Sequence, residues 1–170
     1  MATPHLHQLQ HLQELAGQLR YESAITEQAP DVPYDILSIR ISDEDSEEEE
    51  HLDMVFYPEN AGLDGSDFLQ FFYQYPFHLS DDGIEEVMQI LPSINNRMSL
   101  GHLSINFNEK KVQFKYVLAL PLEAKIDELH FSDILDMCVH TPALFREVIQ
   151  NLGTAQISLE DALILLNSIQ

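Results

Sequence analysis

Cysteine and basic residues are scarce in this 170-residue chain, and long apolar runs are missing. A single cysteine, Cys138, excludes an internal disulfide and is typical of a reducing compartment. No stretch approaches the roughly 18 uninterrupted apolar residues of a membrane span. The first residues, "MATPHLHQLQHLQ", lack the basic region and apolar core of a secretion signal. These absences predict a soluble, cytoplasmic protein, and the length of 170 residues fits one domain.

Acidic residues dominate the charge. There are 29 of them against eight basic residues, which gives a formal charge of −21 and a pI near 4.4. Seven of the acids lie in Asp43–Glu50, and the remaining 22 would still leave a charge of −14. DNA and anionic membranes are disfavoured as partners because both require a basic surface. A basic protein partner, or solubility alone, explains the acidity better.

The first half of the chain predicts a helix followed by a hairpin. Thr3-Pro4 is a capping residue followed by proline, and leucines at helical spacing continue to about Leu19. Apolar residues then alternate with polar ones over 37–41 and over 52–56, as in half-buried strands. We therefore expect the acidic run to form the exposed tip of a hairpin.

The second half predicts an aromatic strand, a second hairpin and further helices. "FLQFFYQYPF" (Phe68–Phe77) predicts a strand that ends at Pro76, and Ser80 caps a bent helix over about 81–97. Strict alternation over 103–120 predicts the second hairpin. Later signals are a helix capped by Ser132 and interrupted at Pro142, and a short helix capped by Ser158.

The element order is α-β-β-β-α-β-β-α plus a short C-terminal helix. Hairpins separated by helices predict an α+β fold, in which helices flank a mostly antiparallel sheet.

None of the candidate catalytic or metal-binding patterns is complete. The acidic run lacks the spacing of a calcium loop, so a solvated turn is favoured over a divalent-ion site or an interaction segment. His7 and His11 share a helix face, but no third ligand is indicated and a structural role is favoured. Cys138 lies in an amphipathic helix and is expected to be a buried thiol.

The aromatic strand is the strongest candidate for a functional surface. Buried aromatic strands are usually central strands of a core, which is the favoured interpretation. The functional alternative is a patch that binds another subunit or a client peptide. Its candidate residues are Phe68, Phe72, Tyr75 and Phe77. The small basic cluster at Lys110, Lys111 and Lys115 is expected at a hairpin tip that protects a sheet edge.

The stretch "VMQILPSINNRMSLGHLSINFNEKKVQFKYVLALP" resembles the YbjN family of bacterial sensory-transduction regulators, whose fold is similar to that of type III secretion chaperones. A helix with an asparagine near its end leads into a Leu-Gly step, a strand, a turn and a second strand that ends at Leu-Pro. "FSDILDMCVHTPALFREVIQNL" resembles the closing helix of the family. The resemblance covers roughly residues 5–150 and is best over Val87–Leu152. The acidic insertion and the segment Thr154–Gln170 depart from the family pattern.

The resemblance implies a non-enzymatic, chaperone-like or regulatory protein-binding module that acts as a homodimer on a partner protein segment. It implies no catalytic residue, cofactor or metal. The residues leave open an enzyme that uses carboxylates and a divalent ion, and a purely structural assembly factor. We expect a family-like domain over residues 1–152, with a helical extension over 153–170 packed on it.

Overall fold

A computed structural model of the chain describes residues 4–42, 48–57, 65–122 and 124–169. The elements in these ranges are α1 (Pro4–Gln18), β1 (Ser23–Thr26), β2 (Ile36–Arg40), β3 (His51–Phe56), β4 (Ser66–Gln74), α2 (Asp81–Asn95), β5 (His102–Asn106), β6 (Lys111–Pro121), α3 (Glu128–Gly153) and α4 (Leu159–Ser168). The strands form a six-stranded antiparallel sheet in the order β1-β2-β3-β4-β6-β5. The predicted α+β class is confirmed.

Both predicted hairpins form. In the first, Leu37 pairs with Met54 and Ile39 pairs with Leu52, so these four buried side chains lie on one face. The Ile41 amide donates to the Glu50 carbonyl at 2.8 Å and extends this pairing toward the tip. The predicted tip itself falls largely on residues 43–47, which lie outside the described residues. The predicted cap Thr3 also lies outside them.

The second hairpin pairs β5 with β6. Leu103 lies opposite Phe114 and Ile105 lies opposite Val112, so the alternating apolar residues of the two strands share one face. Lys110 in the turn has a φ of 51°, a left-handed conformation that closes the hairpin.

The sequence did not predict β1. This four-residue strand pairs with β2, and Ser23 lies opposite Ile39. It is an edge strand with an alternating half-buried and exposed pattern, and Ile25 is its one large aliphatic residue. Backbone pairing to a neighbour stabilises such a short segment, so its own side chains carry little signal.

Helix α3 is longer than predicted. It begins at Glu128, so Ser132 lies inside the helix, and it continues through Pro142. A proline in a helix costs about 3 kcal/mol, because it removes one hydrogen bond and crowds the preceding turn. The helix persists because buried residues on both sides of Pro142, including Leu135 and Ile149, hold it in place. Helix α2 likewise continues through Pro92 and ends close to the predicted position.

The chain divides into two compact units. Unit 1 comprises residues 1–72 and 116–136, and unit 2 comprises residues 73–115 and 137–170. In unit 1, α1 packs on β1 and β2. The leucines of α1 on the packed side are buried, as are Leu37 and Ile39 of β2. In unit 2, α2 packs on β5 and on α4. The segment 153–170 thus lies in unit 2, while the predicted domain bounds remain a prediction.

The start and the end of α2 are both fixed by side-chain hydrogen bonds. As predicted, Ser80 is its N-cap, and the Ser80 hydroxyl accepts from the Gly83 amide at 3.0 Å. At the other end, the Asn95 amide group donates to the Leu103 carbonyl at 3.0 Å and accepts from the Leu103 amide at 2.7 Å. Asn95 therefore bonds the backbone of β5 as a neighbouring strand would.

Among the described residues, no helix combines the length and apolar composition needed to cross a membrane.

Candidate functional site

Strand β4 buries one face, and Tyr75 follows it into the core. Leu69, Phe71 and Tyr73 are buried on that face of the strand. Tyr75 is 0% exposed, and its hydroxyl donates a 2.7 Å hydrogen bond to the Pro142 carbonyl. The prediction that Tyr75 contributes to a binding surface is therefore wrong. Its hydroxyl finds an acceptor inside unit 2, which allows the whole side chain to be buried.

The other three predicted surface residues are half-buried. Phe68 and Phe72 lie in unit 1 with alternation that places them on the opposite face of β4. The Phe68 ring lies 6.2 Å from the ring of Tyr57, whose hydroxyl donates to Gln70 at 2.9 Å. Phe77 lies in unit 2, with its ring 5.3 Å from that of Tyr75. Their role in binding stays a prediction.

A more exposed apolar surface lies on α4. Leu163, Ile164 and Leu165 are 39%, 64% and 37% exposed, and we call these three side chains the α4 surface. Ala162 and Leu166, on the side of the helix opposite Ile164, are buried, and Leu163 and Leu165 flank that buried side. A helix with one buried side ordinarily carries polar residues on the side that faces water. Here the exposed part of the helix carries these three apolar side chains as well as the exposed acids Glu160 and Asp161.

Helix α4 is held firmly at both ends. The Ser158 hydroxyl accepts from the Asp161 amide at 3.2 Å, which confirms the predicted cap. At the C-terminal end, the Arg97 guanidinium donates to the Leu166 carbonyl at 3.1 Å and to the Asn167 side chain at 2.6 Å. A cation at a helix C-terminus is favourable because unpaired carbonyls lie there. These anchors present the α4 surface on a fixed helix.

The sequence contains a local signal for this surface. "ALILL" places five apolar residues in succession, so they lie all round a helix. A helix that packs on one side only cannot bury apolar side chains that point in all directions.

Exposed apolar residues recur elsewhere in unit 2, at Met88 on α2 and at Met137 and Leu144 on α3. Met137 and Leu144 are seven residues apart and share one side of their helix.

The two helical histidines line a pocket in unit 1. The His11 ring donates from Nε2 to the Ile126 carbonyl at 3.1 Å, and the His7 Nδ1 lies 3.3 Å from the Gln10 side-chain oxygen. Both rings border the same pocket. In the ranges that the structure describes, no three His, Cys, Asp or Glu side chains group as metal ligands.

Cys138 is buried in α3, and burial raises the pKa of its thiol to about 12. Burial disfavours the charged thiolate, which is the reactive form of cysteine. The residue has the properties of a core side chain, as the sequence predicted.

A surface ion pair fixes part of the predicted basic cluster. The Lys110 ammonium donates to the Asp81 carboxylate at 2.6 Å, and this hydrogen bond lowers the pKa of Asp81. Both groups are well exposed, so the pair contributes little to stability. Lys110 lies at the predicted hairpin tip, next to the first turn of α2 in unit 2.

We compared the chain with protein-family models and with curated proteins, and neither comparison gave a match.

Proposed function

We infer that this chain is a non-enzymatic protein-binding module, and that the α4 surface is its docking site. The observation that carries this proposal is the exposure of Leu163, Ile164 and Leu165 on a helix whose other side is already buried. Large apolar side chains that are exposed together on one short helix are typical of interaction sites.

Removal of the α4 surface from water would supply free energy for binding. Apolar surface gains about 25 cal/mol for each Å² removed from water, and full burial of an aliphatic side chain is worth about 1.5–3 kcal/mol. Ile164 is the most exposed member of the α4 surface, so it has the most to gain from a partner. The helix is already anchored, and binding would therefore cost little ordering of the backbone.

The net negative charge of the chain favours a partner with basic residues. The protein carries −21, and the exposed acids Glu160 and Asp161 occupy the first turn of α4. An apolar segment flanked by lysine or arginine would meet both features, because opposite charges speed encounter and exclude competitors. A second copy of the chain would bring another −21 to the interface. We therefore propose a basic amphipathic protein segment as the occupant.

The resemblance to YbjN proteins supports the same class of function, since the secretion chaperones whose fold is similar to theirs bind an extended segment of a client protein. The homodimer that the resemblance implies is a separate proposal, and its test is included below. A cytoplasmic location follows from the same proposal and from the single cysteine.

The test uses two synthetic helical peptides with identical leucine spacing, one flanked by lysines and one by glutamates. Their affinity for the full chain is measured by fluorescence anisotropy at low and at high salt. We expect the lysine peptide to bind at least about tenfold more tightly than the glutamate peptide at low salt. The Ile164→Glu variant should weaken that binding by about tenfold or more, because it puts a charge in the apolar contact.

Gln150→Glu is the matched control, because it adds the same charge at an exposed position on α3. This variant should bind the lysine peptide as the unchanged chain does. Equal weakening by both variants would show that only net charge matters, and the α4 docking site would then be wrong. Analytical sedimentation of the unchanged chain and of both variants tests whether the chain binds a second copy of itself. A dimer that Ile164→Glu alone dissociates would assign the α4 surface to self-association in place of a basic partner.

A further inference from the structure

Unit 1 contains a pocket that the proposed function does not use. It has a volume of about 130 Å³ and lies between α1, the end of β3, the end of β6 and the segment that precedes α3. Cavities of about this size hold a benzene-sized group. The pocket therefore has room for a short alkyl chain or one aromatic ring.

The deeper part of the pocket is apolar. Leu12, Phe56, Leu120 and Ile126 line it, and all four are buried side chains. Their positions are fixed by regular elements or by a backbone contact: Ile126, for example, accepts the His11 hydrogen bond through its carbonyl. An apolar ligand group would find a preformed site here.

The rim of the pocket carries one cation and two imidazole rings. Lys125 borders it together with His7 and His11. The Ile126 carbonyl can only accept, so the His11 ring carries its proton on Nε2. No described lining residue carries a carboxylate, although the whole chain has 29 acids and eight basic residues. Lys125 therefore supplies the formal charge of the described lining, and its sign is opposite to that of the chain as a whole.

We propose that this pocket binds a small organic monocarboxylate, with the apolar part of the ligand on Leu12, Phe56 and Leu120 and its carboxylate toward Lys125. A metal ion fits less well, because two histidines alone do not complete a zinc site. A neutral apolar ligand would leave the cationic rim unused. The combination of an apolar floor and a cationic rim favours an amphiphilic anion.

The test uses hexanoate and its neutral counterpart hexan-1-ol, added to the isotopically labelled full chain and followed by two-dimensional NMR. We expect saturable shifts at the amides of residues 7–12 and 124–126, with a hexanoate Kd of roughly 1 mM, ordinary for a ligand of this size. Hexan-1-ol should bind about fivefold more weakly or worse, since it lacks the charge that meets Lys125.

Three variants locate the site. Lys125→Gln should reduce hexanoate affinity to that of hexan-1-ol, whereas Lys111→Gln, which removes the same charge on β6, should change nothing. Ala124→Leu fills the pocket without removing a core side chain, and it should abolish binding of both compounds. Circular dichroism confirms that each variant folds.

Several outcomes would overturn the proposal. One is the lack of saturable shifts with up to about 20 mM hexanoate, well above the Kd expected for such a ligand. Another is equal binding of the acid and the alcohol, or equal effects of the two lysine variants, which would remove the role of Lys125. Tight zinc binding at His7 and His11 without hexanoate binding would replace the carboxylate site by a metal site.

Discussion

Gly83, in the first turn of α2, lies directly against the backbone of Gly153 at the end of α3. A Cβ built on Gly83 would overlap the Gly153 carbonyl oxygen and would lie 2.8 Å from the Gly153 Cα. The Ser80 amide and hydroxyl donate to the same carbonyl at 2.8 and 3.1 Å. The start of one helix thus caps the end of another within unit 2. This contact needs a residue without a side chain.

We expect Gly83→Ala to lower the free energy of unfolding by about 1–3 kcal/mol, because a methyl group would be forced against fixed backbone. Alanine would otherwise favour the helix by up to about 1 kcal/mol, so the clash must exceed that gain. Gly17→Ala is the control, since an added Cβ there meets no atom within 4 Å. Urea denaturation should show that Gly17→Ala stabilises the chain and Gly83→Ala destabilises it. Stabilisation by both would contradict the close contact.

Tyr75→Phe should cost about 1 kcal/mol of stability, because it removes the buried hydrogen bond to the Pro142 carbonyl and leaves the ring in place. Tyr34→Phe removes a hydroxyl from a residue that is 41% exposed, and we expect it to have no measurable effect. Equilibrium unfolding in urea compares the two variants. An equal loss in both would mean that the Tyr75 hydroxyl contributes nothing specific.

The Cys138 thiol should be protected in the folded chain. Its pKa is raised to about 12 from an ordinary value of 9.0, so folding suppresses its ionisation. Labelling by a thiol reagent at pH 8 should be about a thousandfold slower than in the urea-unfolded chain, in proportion to the thiolate present. A Cys138→Ala, Gln150→Cys variant supplies an exposed thiol for comparison. Rapid labelling of native Cys138 would contradict its burial.

The same pKa shift predicts a loss of stability at alkaline pH. Below pH 9 the thiol is neutral in both states, and its contribution to stability is fully present. As the pH rises from about 9 toward 12, the unfolded state releases its proton first and becomes favoured. Cys138→Ala should make the fall in stability over this range less steep, as measured by urea denaturation at several pH values.

The acidic run should be dispensable for folding. Replacement of residues 43–48 by Asn-Gly would join Ser42 to Glu49 through a two-residue hairpin turn. The pairing of Ile41 with Glu50 and of Arg40 with His51 already fixes the strands on either side. We expect the stability at high salt to change by less than about 1 kcal/mol, and the stability at low salt to rise because like charges are removed.

A neutral run of the original length, made by replacing the five acids in this segment with Asn and Ser, separates charge from loop length. It should show the same change in salt dependence as the Asn-Gly variant. Failure of both variants to fold would show that the run has a structural role.

Local pattern alone determined most of the architecture. Alternation is visible wherever a strand has one buried face, and this specified both hairpins. Ser80 and Ser158 were recognisable as caps because capping is a contact between residues three apart. The residue counts alone showed that the acidity belongs to the whole chain and not only to residues 43–50. The resemblance to the YbjN family remains a prediction.

Tertiary structure decided what depends on distant neighbours. Strand β1 exists through its pairing with β2, and α3 passes Pro142 because packing on both sides outweighs a local penalty. Tyr75, which was predicted at the surface, lies in the core, where its hydroxyl donates to the carbonyl of Pro142, 67 residues away in the sequence. The run of apolar residues on α4 was visible in the sequence, but neither its exposure nor the enclosure of the unit 1 pocket was, because both are set by which elements pack together. A sequence states which side chains are apolar, and only the packed chain determines which of them remain in contact with water.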